Sequence, residues 1–263
     1  MNQLKGKTVI VTGASGGIGL EIARLAAEKG ARTVLLARSL AKLESIQAEL
    51  AEKYGAEVYV YQLDVSDANM VEQVFKKIFD TVGEADVLVN NAGYGIFKEA
   101  DQTDAKEAEA MFRVNVLGLM ACTNMVLPAM KRRRQGHIMN IASQAGKIAT
   151  PKSSLYSATK FAVLGYSNAL RLEVMEYGIH VTTVNPGPVE TNFFSIADES
   201  GSYAKSIARF MLKSEEVAAK VVGAMLTNKR EINLPGWMNA AGKLYTLFPG
   251  TAEFFGKKAF FKK

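Results

Sequence analysis

Short runs of β-branched and aliphatic residues alternate along this chain with longer segments in which apolar positions return every three or four residues. Thr8-Val-Ile-Val-Thr12 is the first run and reads as a buried strand. A glycine-rich turn follows, and residues 20–29 carry a helical pattern stopped by Gly30. The alternation continues with a strand over 32–37, a helix over about 40–53 ended by Gly55, and a strand over 57–63. Residues 64–67 (Asp-Val-Ser-Asp) suit the start of a helix in which Met70, Val71, Val74, Phe75, Ile78 and Phe79 share a face. Then come a strand over 86–89, a long helix over about 103–130, a strand over 136–142, a long helix over 153–177 and a strand over 180–184. The pattern breaks between 191 and 212. Ser214-Glu-Glu-Val217 resembles a capped helix start, and 231–234 a last strand.

Strands and helices alternating through short connections predict an α/β fold: a doubly wound parallel sheet with right-handed crossovers and helices on both faces. With no linker and no repeat, the expectation is one domain over 1–263, with a lid at about 190–213 and an aromatic C-terminal extension at about 236–263. Each unusual loop follows a strand: Gly13–Gly19, Arg38, Asp64, Asn90–Gly93, Ser143 and Pro186–Gly187. All of them would gather along the carboxyl edge of the sheet, where ligands of open α/β folds bind.

At 48% hydrophobic and 22% charged residues, the 263-residue chain has the composition of a soluble globular protein with a sizeable core. Its net charge of +6 comes with no nucleic-acid-binding motif, and the basic run 131–134 is expected to solvate a helix end and complement its dipole. The single cysteine, Cys122, sits in an apolar helical stretch and reads as a buried thiol, which points to a reducing, cytoplasmic setting. No apolar run marks a signal peptide, and no stretch reaches the ~18–20 apolar residues of a bilayer span. His137 and His180 fall at strand starts, away from the loop edge, so no metal site is expected.

The candidate chemistry lies in two places. Gly13, Gly17 and Gly19, with Ser15 and Ile18 between them, join a strand to a helix N-terminus, so backbone N–H groups can approach a pyrophosphate there. Tyr156 and Lys160 stand four residues apart on one helix face, and Ser143 follows the fifth strand. A phenol is a poor acid or base at neutral pH. A lysine ammonium and an oxidised nicotinamide beside it favour the phenolate, and a fall of ~2–3 units takes about 3–4 kcal/mol of differential interaction. Tyr156 can then exchange a proton with a carbonyl oxygen while Ser143 holds that oxygen.

These motifs in this order resemble the short-chain dehydrogenase/reductase family over about residues 5 to 235: Thr12-Gly-Ala-Ser-Gly-Gly-Ile-Gly19, Asp64-Val65, Asn90-Asn-Ala-Gly93, Asn115, Ser143, Tyr156-Ser-Ala-Thr-Lys160 and Pro186-Gly187. The resemblance implies a Rossmann-type sheet of about seven strands ordered 3-2-1-4-5-6-7. It implies that Ser143, Tyr156 and Lys160 are catalytic, with Lys160 also holding the nicotinamide ribose. Asn115, otherwise only a polar residue in an apolar helix, would keep a water through its backbone in a proton relay. Asp64 and Val65 would border the adenine, Asn91, Ala92 and Gly93 the cofactor edge, and Val189 and Thr191 the carboxamide beyond Pro186 and Gly187. The long helices near 103–130 and 153–177 would pair across a two-fold axis, giving a homodimer or homotetramer.

The expected cofactor is NADP(H): the second strand ends in Ala37-Arg38 rather than in an acid, an arginine fork matches a 2′-phosphate, and Ser15 adds a hydroxyl. Phe193, Phe194, Tyr203 and Phe210 point to an apolar lid and a hydrophobic carbonyl or alcohol as substrate. The alternative is a catalytically inactive NADP(H)-binding redox sensor, which a complete Ser143, Tyr156 and Lys160 set argues against. The tail from Trp237 carries Tyr245, Phe248, Phe254, Phe255, Phe260 and Phe261 beside Lys257, Lys258, Lys262 and Lys263. Packing against the lid or another subunit is the favoured expectation. The alternative is weak contact with an anionic membrane, peripheral at the inner surface; Phe254, Phe255 and Phe261 share a broad side into which Lys258 intrudes.

Overall fold

The computed structural model describes residues 4–197, 205 and 207–260, with the backbone alone at 196 and 255–260. The strands β1 (Thr8–Thr12), β2 (Arg32–Ala37), β3 (Val58–Gln62), β4 (Val87–Asn90), β5 (Gly136–Ile141), β6 (Ile179–Pro186) and β7 (Glu231–Leu234) form one sheet ordered β3-β2-β1-β4-β5-β6-β7. Every pair is parallel, and Thr12 aligns with Leu36, Asn90 with Asn140 and Pro186 with Leu234. The carboxyl ends therefore line up, and the loops that carry the motifs do share one edge.

Alternation along each strand feeds two cores. Val9, Val11, Leu35, Val87 and Val89 face one layer, with Ile22, Ala23 and Ala26 of α1 (Gly17–Glu28), Leu43, Ile46 and Leu50 of α2 (Leu40–Tyr54), and Val217 and Val221 of a helix at Ser214–Ala224. Ile10, Val34, Leu36 and Leu88 face the other, with Val71, Val74, Phe75 and Ile78 of α3 (Ala68–Thr81). Buried on both faces, the strands are nearly continuous apolar runs. Asp67 caps α3 as expected, its side chain accepting from the Met70 amide. The Ser214–Ala224 helix has no side-chain cap, contrary to expectation; Glu215 and Glu216 in its first turn complement the dipole instead.

The long helix expected over 103–130 is three pieces. A capping box of Asp104 and Glu107 starts α4 (Ala105–Phe112), a π turn occupies Arg113–Gly118, and α5 runs over Leu119–Arg133. By length and composition this run passes for a membrane-spanning helix, contrary to the expectation that no segment would. It lies on the sheet instead, with Cys122, Val126 and Met130 in the second core. Beyond it, α6 (Ser154–Glu173) covers the same face through Leu170.

The basic run at the end of α5 does more than solvate a helix end. Arg132 and Arg133 pair with Glu84 at 2.7 and 3.0 Å, Arg133 also reaches Asp86 at 3.6 Å, and Lys131 sits 5.0 Å from the centre of the Tyr177 ring. These contacts tie α5 to the start of β4, across the sheet end opposite the loops.

At that same end His137 is fully buried. Its Nδ1 accepts from the Leu226 amide at 2.8 Å, so Nε2 carries the proton and donates to Thr182 Oγ1 at 2.8 Å. Burial, with the nearby His180 as a smaller cause, pushes the imidazole down to about 3. The unfolded chain then binds a proton below about pH 6.5 that the folded chain refuses, so stability is full above that pH and falls on acidification towards pH 3. We expect roughly 1.4 kcal/mol to be lost in all between pH 7.5 and 5.5, measured by denaturant unfolding. His137→Asn, less stable at pH 7.5, should show a flatter dependence.

Candidate active site

The turn after β1 is built for close approach. Gly13 and Gly17 have φ of +66° and +54°. A Cβ on Gly13 would stand 2.9 Å from the Ala92 Cα, and one on Gly19 would stand 2.4 Å from both the Asn91 side-chain nitrogen and the Gly13 carbonyl oxygen. The strand therefore turns flush against the loop after β4, leaving the first-turn N–H groups of α1 without acceptors inside their helix. Asn91 Nδ2 donates to the carbonyls of Thr12 and Gly13 at 3.0 and 3.1 Å, and Thr12 Oγ1 accepts from the amides of Asn91 and Ala92, each at 3.0 Å. This side-chain-free cradle at a helix N-terminus fits the pyrophosphate of a dinucleotide.

Further along the edge, Asp64 turns inward on its own loop, accepting from the Ser66 amide and hydroxyl at 2.9 and 2.7 Å. Val65 is buried against Gly118, where a Cβ would lie 2.6 Å from the Val65 carbonyl oxygen. Arg38 is exposed at the end of β2, and its carbonyl accepts from Gln62 Nε2 at 2.9 Å. Thr191 closes over the turn, its methyl 3.0 Å from where a Gly17 Cβ would be. Val189 is buried and bridges to Leu212, so the two ends of the 190–213 segment are held together.

Ser143 stands in extended backbone just past β5, its Oγ accepting from the Ala145 amide at 3.0 Å. Gly146, three residues on, lies against Lys160, since a Cβ there would be 2.9 Å from the Lys160 carbonyl oxygen. Tyr156 and Lys160 are both buried on α6. Lys160 Nζ donates to the Ile141 carbonyl at 3.0 Å and lies 5.6 Å from the centre of the Tyr156 ring. Burial pushes the Lys160 ammonium down to about 8, so near neutrality it is still mostly charged.

Asn115 lies in the π turn, where the regular i to i−4 ladder is interrupted. Its Oδ1 accepts from the Tyr94 amide at 3.0 Å, and its Nδ2 donates to the Tyr94 carbonyl at 2.8 Å and to Thr159 Oγ1 at 3.1 Å. A Cβ on Gly93 would stand 3.0 Å from Asn115 Oδ1 and 3.7 Å from Lys160 Nζ, so Gly93, Asn115 and Lys160 adjoin.

Over this group folds a short helix, α7 (Phe193–Ala197). Phe193 and Phe97 sit 5.5 and 5.8 Å from the Tyr156 ring, Phe194 lies 6.3 Å from Phe97, and the Phe97 amide donates to the Ala197 carbonyl at 2.9 Å. Phe193 and Phe194 thus line the site as expected. Phe210 does not: it is 67% exposed, carried outward by a 3₁₀ turn at Ala208–Phe210. Tyr203 lies outside the described residues. Cys122 is buried, and burial pushes its thiol up to about 12, which leaves no nucleophile there. Among the described residues no cluster of His, Cys, Asp or Glu is placed to hold a metal.

Residues 7–200 match the family model described as short chain dehydrogenase. This chain belongs to the short-chain dehydrogenase/reductase family. It is 39% identical over 199 residues to an NADP-dependent 3-hydroxy acid dehydrogenase of Schizosaccharomyces pombe, covering 73% of this chain and 75% of that one. It resembles the L-sorbose reductase of Gluconobacter frateurii, solved with NADPH and L-sorbose, with a TM-score of 0.80 at 26% identity over 90% of this chain and 98% of that one. A short-chain dehydrogenase/reductase of Burkholderia phymatum, solved with NAD, shares the fold with a TM-score of 0.87 at 24% identity, over 95% and 96% of the two chains. Membership makes the protein an oxidoreductase acting on CH–OH or C=O groups, with a nicotinamide cofactor.

Apart from Asn90, which lies in a motif but has no role assigned by it, several residues that hold this family's site together here escaped the sequence. Asn90 Nδ2 donates to Asn140 Oδ1 at 2.9 Å and to Thr123 at 3.0 Å, and Asn140 Nδ2 donates to Ser167 of α6 at 2.8 Å, all of them buried. Gln144 donates to the Asn185 carbonyl at 2.8 Å, Asn185 to Asn233 at 3.0 Å, and Lys147 to Asn233 and Glu231 at 2.9 and 2.5 Å, which binds the Ser143 loop to β7. The available signal was an asparagine at or next to the end of three successive strands. Each of these amide nitrogens finds an acceptor, while Asn90 Oδ1, Gln144 Oε1 and Asn185 Oδ1 are buried without a partner among the described residues.

The Gly19 geometry yields a test. Gly19→Ala must displace Asn91 or the Gly13 carbonyl, at a cost of about 1–3 kcal/mol. We expect a lowered unfolding midpoint and at least tenfold weaker cofactor binding by calorimetry, whereas alanine at Gly16, whose surroundings are open, leaves stability nearly unchanged.

Proposed function

We propose that this protein is an NADP(H)-dependent oxidoreductase for a hydrophobic carbonyl or alcohol, with Tyr156 as general acid and base. The observation that carries the reading is the Lys160 ammonium, buried and fixed on the Ile141 carbonyl beside the Tyr156 ring, at the edge that bears the glycine cradle. When bound, the nicotinamide supplies or accepts the hydride. Ser143 and Tyr156 hold the substrate oxygen, and the phenol gives up its proton as negative charge develops there. Lys160 stabilises the resulting phenolate. A relay through Asn115 would use its backbone: its side chain is spent on Tyr94 and Thr159, and the π turn interrupts the regular hydrogen-bond ladder at this residue. Phe97, Phe193 and Phe194 around the phenol favour an apolar group on the substrate.

Preference for NADP(H) is supported by Arg38. It is exposed, no acid precedes it, and its charge reaches Tyr94, opposing the upward push that burial gives that phenol. Ser15, partly buried in the glycine turn, stands nearby in the same loop edge. A homodimer or homotetramer is supported by the outward apolar residues Leu117, Phe161 and Leu172 on the two helices expected to pair.

Two substitutions test the reading. Tyr156→Phe removes only the proton donor, so turnover of a panel of hydrophobic ketones should fall by more than ~10²-fold while cofactor affinity stays nearly intact. A Phe variant that kept most of the activity would refute the assignment. Arg38→Ala should raise the KM for NADPH by about 10–100-fold and leave that for NADH almost unchanged, as expected for a lost charged hydrogen bond to phosphate. Equal catalytic efficiency of the unsubstituted enzyme with both cofactors would count against the preference.

A further inference from the structure

Beyond α8 (Ser214–Ala224) and β7, the C-terminal extension is two helices, α9 over Trp237–Leu247 and α10 over Pro249–Phe260. Pro249 opens the second, where a missing N–H costs nothing. Tyr245 of α9 donates its hydroxyl to Glu253 of α10 at 3.1 Å, so α10 folds back on its neighbour. The inner face of α9 is fixed to the body of the protein. Gly242 is buried, 3.6 Å from Lys147 by its would-be Cβ, and the Met238 sulfur lies 3.1 Å from where a Cβ on Gly187 would be.

The outer face is apolar and uncovered. Trp237, Leu244, Leu247 and Phe248 are 64, 57, 70 and 57% exposed. Trp237 and Leu244 are two turns apart on one side of the helix, and Leu247 lies a turn beyond. The described residues of the lid, one of the two surfaces expected to cover them, leave these side chains open; four large apolar side chains this exposed form a patch that needs an occupant. The charge carried by the same stretch of sequence selects one. From Trp237 to the last residue the chain carries Lys243, Lys257, Lys258, Lys262 and Lys263 against a single acid, Glu253. A second copy would bring the same excess of positive charge against itself, whereas an anionic bilayer satisfies both the lysines and the rings.

We infer that the outer face of α9, with Trp237, Leu244, Leu247 and the adjoining Phe248, docks on the surface of an anionic lipid bilayer, to which the basic composition of the terminal segment is complementary. The segment lies in the interface and does not cross it: α9 and α10 have 11 and 12 residues, each far short of the ~20 a span requires. Because Met238 on the inner face of α9 touches the Gly187 loop, one helix separates the bilayer from the nicotinamide end of the site. An apolar substrate dissolved in lipid would be concentrated there.

Trp237 is the only tryptophan in the chain and reports directly on docking. The full-length protein is mixed with vesicles of phosphatidylcholine alone, or of phosphatidylcholine with phosphatidylglycerol, and both flotation and tryptophan emission are recorded. We expect flotation with the anionic vesicles, a blue shift of the emission and quenching by brominated acyl chains, with the partition coefficient falling about tenfold or more when salt is raised from ~0.05 to ~0.5 M. Leu244→Ser with Leu247→Ser should abolish flotation while ketone turnover in detergent-free solution stays unchanged. Replacing the four terminal lysines by Gln should weaken binding about tenfold. Failure to float with anionic vesicles at low salt would overturn the inference. So would a fall in sedimenting mass caused by the double serine variant without lipid, since the face would then be an interface between copies.

Discussion

The hydroxyl of Thr12 is the point on which the cleft depends. It accepts from two successive amides of the loop after β4 and is itself directed to the Val89 carbonyl at 3.4 Å. In the strand order, β1 and β4 are the neighbours from which connections leave in opposite directions, so their loops would part to open a crevice. Thr12 and Asn91 limit that parting to one side-chain width. Gly13 and Gly19 are glycines because the loop after β4 is drawn in so closely. The cradle for phosphate is thus made by polar cross-links between two strand ends, with the glycines accommodating them.

The same logic extends beneath the reacting groups. Asn90, Asn140, Thr123 and Ser167 form a buried chain of hydrogen bonds from β4 across β5 to α5 and α6. Such a chain contributes modestly to stability and strongly to geometry, because each member left alone would be a buried unsatisfied group. It fixes the rotation and height of α6 against the sheet, and with them the side chains of Tyr156 and Lys160. Lys147, paired with Glu231 and Asn233, does the same for the loop of Ser143 on its outer side.

Much of this was legible in the sequence. The β-branched runs reveal the strands because a sheet covered on both faces demands them, and β1, β2 and β7 have the expected limits. Tyr156 and Lys160 could be placed on one face because the helical repeat is rigid, and the glycine turn because its backbone allows little else. What stayed hidden depends on partners distant in the chain. Arg132 and Arg133 look like a solvated helix end until Glu84 and Asp86 arrive from 46 or more residues away. Phe210 looks like lid lining, but a turn in a segment without periodicity faces it outward. Asn115 looked misplaced in an apolar helix because the pattern assumed a regular ladder, and the ladder is irregular there.

That irregularity makes the helical run at Ala105–Arg133 two rulers joined out of step. A π turn accommodates an extra residue, so positions before and after Arg113–Gly118 are shifted by about 100° relative to a continuous helix. Met111 before the turn and Cys122, Val126 and Met130 after it are all buried. The turn therefore has the form of one residue inserted into a regular helical run. Removing a residue would restore the backbone ladder and rotate one half out of the protein, taking Asn115 away from Tyr94.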